Sequence, residues 1–133
     1  MNQPIGYWAR RADQLFTERM DAAIAGHGIT RTHWQVLNSV AEGEPVTRAA
    51  LAAGLAPFGD PARIDAVRAD LTALGWLTDA DPLSLTPAGR TARERVFADV
   101  SQLRARAMAG ITRQEYGQTV DVLRRFVDNL AVG

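Results

Sequence analysis

Cysteine and lysine are absent from this sequence, and histidine is represented only by His27 and His33. The lack of cysteine excludes disulfides, thiolate zinc sites and cysteine nucleophiles. Two histidines without a local cluster of carboxylates make a poor metal site, so we expect neither a metal nor a cofactor. All 15 basic residues are arginine, which indicates a G+C-rich genome and carries no functional information.

Long apolar runs are also missing. No run approaches the roughly 18 to 20 residues that span a bilayer, and the first residues lack the features of a signal peptide. We therefore expect a cytoplasmic protein. Its 133 residues and 47% hydrophobic content suit one domain with a real core. The 15 basic and 15 acidic residues balance, so net charge provides no general attraction to nucleic acid.

Helical periodicity predicts four helices, a tiny hairpin and two further helices. The first helix covers about residues 4–25, and the fifth runs from residue 87 to about residue 110. The hairpin pairs residues 76–78 with residues 83–85 across a polar turn. Helix-start signals occur at Thr30 or Thr32, Thr47, Asp60–Pro61, Thr86–Pro87 and Thr112 with Glu115.

The sixth predicted helix carries a narrow apolar seam with heptad-like spacing, which is typical of a helix that packs against another helix. The seam consists of Tyr116, Val120, Leu123, Val127 and Leu130. It can pack within the subunit or across a dimer. The first helix is equally amphipathic, with Ile5 and Trp8 on its apolar side. Because so small a chain offers little else to cover the apolar sides of both helices, we favour a homodimer.

The order of elements over about residues 30–90 is that of a winged helix-turn-helix: a short helix, a turn, a longer helix and a two-stranded hairpin. The longer helix fits a major groove about 12 Å wide. We expect its apolar face, Ile64, Val67, Leu71 and Leu74, to point inward. Its outward positions are then Ala62, Arg63, Asp65, Ala66, Ala69 and Asp70.

Several segments resemble MarR-type regulators of bacteria. Residues 32–37 (THWQVL) resemble the start of the family's second helix, and residues 51–55 (LAAGL) resemble the first helix of its helix-turn-helix. Residues 64–77 are similar to the recognition helix and its turn into the wing. The most specific match is residues 83–90 (LSLTPAGR), which resemble the segment from the wing to the next helix.

This resemblance implies a mainly α (α+β) fold, with one MarR-like domain over residues 1–133. The winged core would cover about residues 30–90, and dimerisation helices would cover about residues 4–25 and 87–130. The implied function is a dimeric transcription regulator that binds double-stranded DNA and is often released by a small aromatic ligand. No catalytic motif is present, so we expect no enzyme.

The candidate DNA contacts are Arg48, Ala62, Arg63, Ala66, Arg68 and Arg90. Arg63 suits a guanine edge or a phosphate, and Arg48 and Arg90 suit phosphates. The alternative is that these arginines are solvated surface residues, with Arg68 paired to Asp65 or Asp70.

The candidate residues for an aromatic ligand are Tyr7, Trp8, Arg11, His33 and Trp34. An aromatic wall with one arginine suits a phenolic acid. The alternative places Trp34 in the core and His33 at a partly exposed helix start.

The predicted wing opposes DNA binding. Its turn, residues 78–82, carries Asp79 and Asp81 and no arginine, whereas the family usually has a longer hairpin with an arginine. We expect both carboxylates to be solvated and to repel phosphate. Five arginines and seven acids give residues 30–90 a net charge of minus two. A second hypothesis is therefore a winged-helix protein-interaction or ligand-sensing domain that has lost DNA binding.

Overall fold

The computed structural model describes residues 2–132, so Met1 and Gly133, the ends of the predicted domain, lie outside the described residues. The described part contains six α-helices and a short 3₁₀ turn, Ala56–Phe58. The helices are α1 (Ile5–Ala25), α2 (Arg31–Gly43), α3 (Arg48–Gly54), α4 (Pro61–Ala73), α5 (Pro87–Ala107) and α6 (Arg113–Ala131). The predicted order of helices is confirmed, and α5 ends three residues before the predicted position.

The chain divides into two compact units, Met1–Ser101 and Gln102–Gly133. The boundary lies within α5. The first unit therefore contains α1 to α4, the hairpin region and most of α5, while the second contains the end of α5 and α6.

The main core of the first unit lies among α2, α3, α4 and the hairpin region. Leu37, Leu71 and Leu83 are fully buried in it. A second buried cluster joins the end of α1 to α5 through Ile24, Ile29, Val96 and Val100. Trp34 and Trp76 are partly buried and pack against both clusters, so they connect the two parts of this unit.

Short polar side chains begin the helices of the winged region as the sequence predicts. Thr30, rather than Thr32, precedes α2 and forms a capping box with His33. Thr47 accepts the backbone N–H of Ala50 at the start of α3. Asp60 accepts the backbone N–H of Arg63 at 2.8 Å and so caps α4. These bonds satisfy amides that a helix leaves without internal partners.

The predicted hairpin is present as isolated bridges rather than as two regular strands. Leu77 pairs with Leu85 in an antiparallel bridge, and the backbone N–H of Thr78 donates to the carbonyl oxygen of Ser84 at 2.9 Å. A second antiparallel bridge joins Leu83 to Val46, in the connection between α2 and α3. The hairpin region, residues 76–85, is called the wing below, and it is anchored at its base to the connection between α2 and α3.

The start of α5 lies against the end of the α4 segment. The Thr86 hydroxyl donates to the carbonyl oxygen of Gly75 and accepts the backbone N–H of Gly89. Gly75 has a φ of 80°, a left-handed conformation that favours glycine, where the chain leaves α4 for the wing. These contacts fix the direction in which the wing begins and ends.

The second unit contains the predicted seam. Thr112 and Glu115 form the predicted capping box at the start of α6. None of the residues of α6 is buried; Leu123 is half-buried, and the other four seam residues are exposed. The apolar seam of this unit is therefore largely exposed. Over the same residues, no helix is both long and apolar enough to cross a membrane.

Candidate nucleic-acid interface

The exposed face of α4 is the one that the sequence predicts. Its six predicted outward positions are all exposed, while Ile64, Val67 and Leu71 are buried. The inward assignment of Leu74 is wrong: its side chain is 51% exposed because α4 ends at Ala73 and the chain turns away at Gly75.

Arg63 lies in the first turn of α4, beside Ala62 and one turn before Ala66. Its guanidinium Nη2 donates to the Thr32 hydroxyl at 3.5 Å, across from the start of α2. Small neighbours and a weak polar contact leave the arginine free to extend from this exposed surface. We call Ala62, Arg63 and Ala66 the α4 face.

Arg68 is only 7% exposed and lies on the inner side of α4. Its spacing from Ile64 and Leu71 places it on the apolar face, where the aliphatic part of its side chain packs. Its Nε donates to Asp65 Oδ1 at 2.8 Å, and this hydrogen bond lowers the pKa of the Asp65 carboxyl. Arg68 is thus buried and lies apart from the α4 face. It pairs with Asp65, as the alternative interpretation expected, but that interpretation was wrong in making it a solvated surface residue.

Arg48 lies at the start of α3 and contacts both carboxylates of the wing turn. Its Nη2 is 3.5 Å from Asp79 Oδ1, and its backbone N–H donates to Asp81 Oδ1 at 3.0 Å. Asp81 therefore serves as an additional cap for α3. Both side chains remain exposed to solvent, as the sequence predicts, and each also contacts Arg48.

Arg90 is also bound to an acid of its own chain. Its Nη2 lies 2.9 and 2.7 Å from the two carboxylate oxygens of Glu44. Glu44 Oε1 also accepts the backbone N–H of Leu85 at 2.6 Å. The Leu85 hydrogen bond and then the Arg90 guanidinium lower the pKa of Glu44. Glu44 thereby joins the end of α2, the wing and α5 at one point.

His33 connects α2 to α4. Its Nδ1 accepts the backbone N–H of Thr30 at 3.3 Å, and its Nε2 lies 3.0 Å from Asp70 Oδ2. The side chain thus holds the outer edge of α4 against the start of α2.

The five predicted ligand residues do not come together within the first unit. Tyr7 and Trp8 form an edge-to-face pair with ring centroids 5.0 Å apart, exposed near the start of α1. Trp34 and Met20 both pack against the second buried cluster, near the other end of that helix. Since an α-helix rises about 1.5 Å per residue, Trp8 and Met20 are separated by roughly 18 Å along α1. His33 lies on the Trp34 side, and Arg11 lies on the Tyr7 side.

A metal centre is not formed in the described part of the chain, where no three histidine, aspartate or glutamate side chains are grouped suitably. The site therefore consists of an exposed α4 face, with three neighbouring arginines each paired to a carboxylate. Sequence reasoning missed the role of Glu44, whose partner Leu85 is 41 residues away and gives no local signal.

Comparison with solved structures identifies the fold. The chain is similar to the MarR family protein Rv2887 of Mycobacterium tuberculosis in complex with DNA, with 23% sequence identity and a TM-score of 0.75 over 94% of this chain and 98% of that one. It is also similar to Rv2887 in complex with salicylic acid, at 24% identity and a TM-score of 0.65 over 93% and 98% of the two chains. This chain has the MarR-type fold.

A further structure with the MarR-type fold is CouR from Rhodococcus jostii RHA1, bound to p-coumaroyl-CoA. It shares 23% sequence identity with this chain, with a TM-score of 0.71 over 93% of this chain and 91% of CouR. No protein-family model and no curated protein matches the sequence.

Proposed function

We propose that the protein is a cytoplasmic, dimeric transcription regulator that binds double-stranded DNA through the α4 face. The observation that carries this proposal is Arg63, exposed between two alanines on a capped helix of a MarR-type fold. Small neighbours allow close approach to a groove, and an arginine can donate two hydrogen bonds to a guanine edge. Arg48 and Arg90 would contact phosphates after leaving their carboxylate partners, whereas Arg68 would position α4 through Asp65.

Homodimerisation is the second part of the proposal. The exposed seam of α6 and the exposed Ile5 and Trp8 of α1 provide apolar surfaces that a second copy would cover. A dimer would present two α4 faces to two half-sites, one on each side of a two-fold axis. Residues 1–133 would then act as one MarR-like domain in each subunit.

A small aromatic acid is the proposed effector. The structures of Rv2887 with salicylic acid and CouR with p-coumaroyl-CoA support this ligand class by similarity. The proposed ligand residues fall into two groups within the first unit: Tyr7, Trp8 and Arg11 in one, and His33 and Trp34 in the other. A single pocket lined by all five would therefore require contacts beyond those made within the first unit. Quenching of tryptophan fluorescence by salicylate, weakened in His33→Ala but retained in His27→Ala, is the expected result.

The DNA-binding proposal is tested by fluorescence anisotropy with duplex DNA from upstream of the gene and with a scrambled duplex, over a range of salt. We expect sequence-dependent binding that weakens steeply as salt rises. Arg63→Ala should weaken binding to the upstream duplex by about 10- to 100-fold, while Arg10→Ala, an exposed position on α1, should change it little. Equal affinity of Arg63→Ala and the wild type would remove Arg63 from the mechanism.

The second candidate function is a protein-interaction or ligand-sensing domain without DNA binding. It is favoured by the carboxylate partners of Arg48, Arg68 and Arg90. This function predicts stable dimers and no duplex binding even at low salt, so the same anisotropy experiment separates the two candidates.

A further inference from the structure

Arg48 contacts two acidic groups of the wing, although the proposed function assigns it to a DNA phosphate. Asp79 lies beside its guanidinium, and Asp81 accepts its backbone N–H. Both of these contacts with Arg48 come from the same short turn, residues 78–82. They place two negative charges next to the residue that the proposed function assigns to a phosphate.

The wing turn is held in this position by its base. Leu83 and Val46 exchange two backbone hydrogen bonds of 2.7 and 3.1 Å, and Leu77 bridges to Leu85 on the other side of the turn. The aspartates are therefore presented to α3 by a fixed backbone. Their position next to Arg48 is built into the fold.

The Arg48–Asp79 pair is nevertheless easy to open. The side chains are 39% and 81% exposed, and ion pairs so accessible to water are weak. A DNA phosphate can displace such a partner, but it must compete with Asp79 and approach a second carboxylate. The competition weakens every phosphate contact at this position, whatever the base sequence.

We infer that the Asp79–Asp81 turn is a specificity determinant, which lowers binding to non-specific DNA by competing with phosphate for Arg48. This inference rests on the proposed DNA binding. Phosphate contacts supply most of the affinity for non-specific DNA, whereas base contacts of the α4 face distinguish sequences. Restraining Arg48 therefore makes binding depend more strongly on the bases that Arg63 contacts.

The test compares the wild type with Asp79→Asn on the upstream and scrambled duplexes, by anisotropy over a range of salt. Asp79→Asn should bind the scrambled duplex about 3- to 10-fold more tightly, with a salt slope steeper by about 0.9, the value for one added phosphate contact. The ratio of the two affinities should fall. Arg48→Ala in the Asp79→Asn background should remove the gain.

The matched control is Asp128→Asn on α6. It removes the same charge from a pair of the same 3.5 Å length, Arg124–Asp128, without touching the wing. An effect of Asp79→Asn no larger than that of this control, or a gain that survives Arg48→Ala, would overturn the inference.

The outcomes also separate this inference from the proposed function. If the wild type binds specifically and Asp79→Asn behaves identically, only the inference fails. If the wild type binds neither duplex but Asp79→Asn binds both, the proposed regulator fails and the competition by the turn is supported. Absence of binding by every variant overturns both.

Discussion

Gly89, near the start of α5, lies so close to Trp76 that a Cβ atom at this position would overlap the Trp76 carbonyl oxygen. The obstructing atom belongs to the backbone and cannot rotate away. The same carbonyl accepts the backbone N–H of Thr86 at 3.0 Å. Close packing between the wing and α5 therefore requires glycine at this position.

Gly89→Ala should reduce the free energy of unfolding by about 3 kcal/mol or more, since the wing and α5 must separate to make room. Gly117→Ala is the matched control, because a Cβ at this position in α6 meets no atom within 4 Å. It should leave stability unchanged or raise it by about 0.5–1 kcal/mol. Urea denaturation of the two variants and the wild type measures both effects, and equal stability of the two variants would contradict the packing at Trp76.

Glu44 should make stability depend on pH. Its folded-state pKa is lowered, so its contribution is fully present above the ordinary glutamate pKa, about 4.3, and is lost as pH falls through the lower folded value. Glu44→Gln should reduce the free energy of unfolding by about 1–3 kcal/mol at neutral pH, and by progressively less under acid conditions.

Denaturation of Glu44→Gln and the wild type across this pH range checks the prediction. Glu42→Gln is the control, because it removes the same charge from an exposed position two residues earlier in α2. A constant difference between Glu44→Gln and the wild type at all pH values would show that the charge of Glu44 is not responsible.

The seam of α6 should control the oligomeric state. Val127 is 60% exposed in the single chain, and Val127→Glu would place a carboxylate in the proposed dimer interface. Burying that charge without a partner is strongly unfavourable. We expect sedimentation analysis at micromolar concentration to find a dimeric wild type and a monomeric Val127→Glu variant.

Asn129→Glu provides the control for this experiment, because it adds the same charge on the other side of α6. It should remain dimeric, and circular dichroism should show equal helix content in both variants. A monomeric wild type, or a Val127→Glu variant that remains dimeric, would rule out the seam as the interface.

The buried Arg68 should contribute to the position of α4 and not to DNA contact. Asp65→Ala should lower the free energy of unfolding by about 1–3 kcal/mol, because it leaves the buried guanidinium without its partner. Arg68→Met keeps the packing of the aliphatic stem, so it should lower the free energy of unfolding by less than about 1 kcal/mol. Combined with Asp65→Ala, it should make the loss of stability smaller than in Asp65→Ala alone. Denaturation measures these differences in stability. A marked loss of DNA affinity in Arg68→Met with unchanged stability would instead assign Arg68 to the interface.

Local signals in the sequence predicted the helices and their starts. The caps Thr47 and Asp60 act within three residues of themselves, and the spacing of Ile64, Val67 and Leu71 describes one face of a single helix. The same spacing includes Arg68, whose charge suggested an outward position although its stem packs inside. Periodicity was in this case a better guide than residue type.

Contacts between distant segments could not be predicted in the same way. Asp81 reaches Arg48 across 33 residues, and Glu44 reaches Leu85 across 41. Such pairs depend on how the wing folds back onto the helix-turn-helix, which local patterns do not encode. The sequence therefore revealed an acidic wing but not that both of its aspartates contact Arg48, an arginine expected to meet DNA.

The bridges at the base of the wing hold it to the core, and this attachment does not depend on how long the tip of the wing is. Leu77, Leu83 and Leu85 are buried in the core, while residues 79–82 are exposed and add nothing to it. Lengthening a loop whose ends are already fixed costs little conformational entropy. The tip of this wing is thus a position where insertions and new charges can accumulate, or be grafted by design, while the rest of the domain keeps its packing.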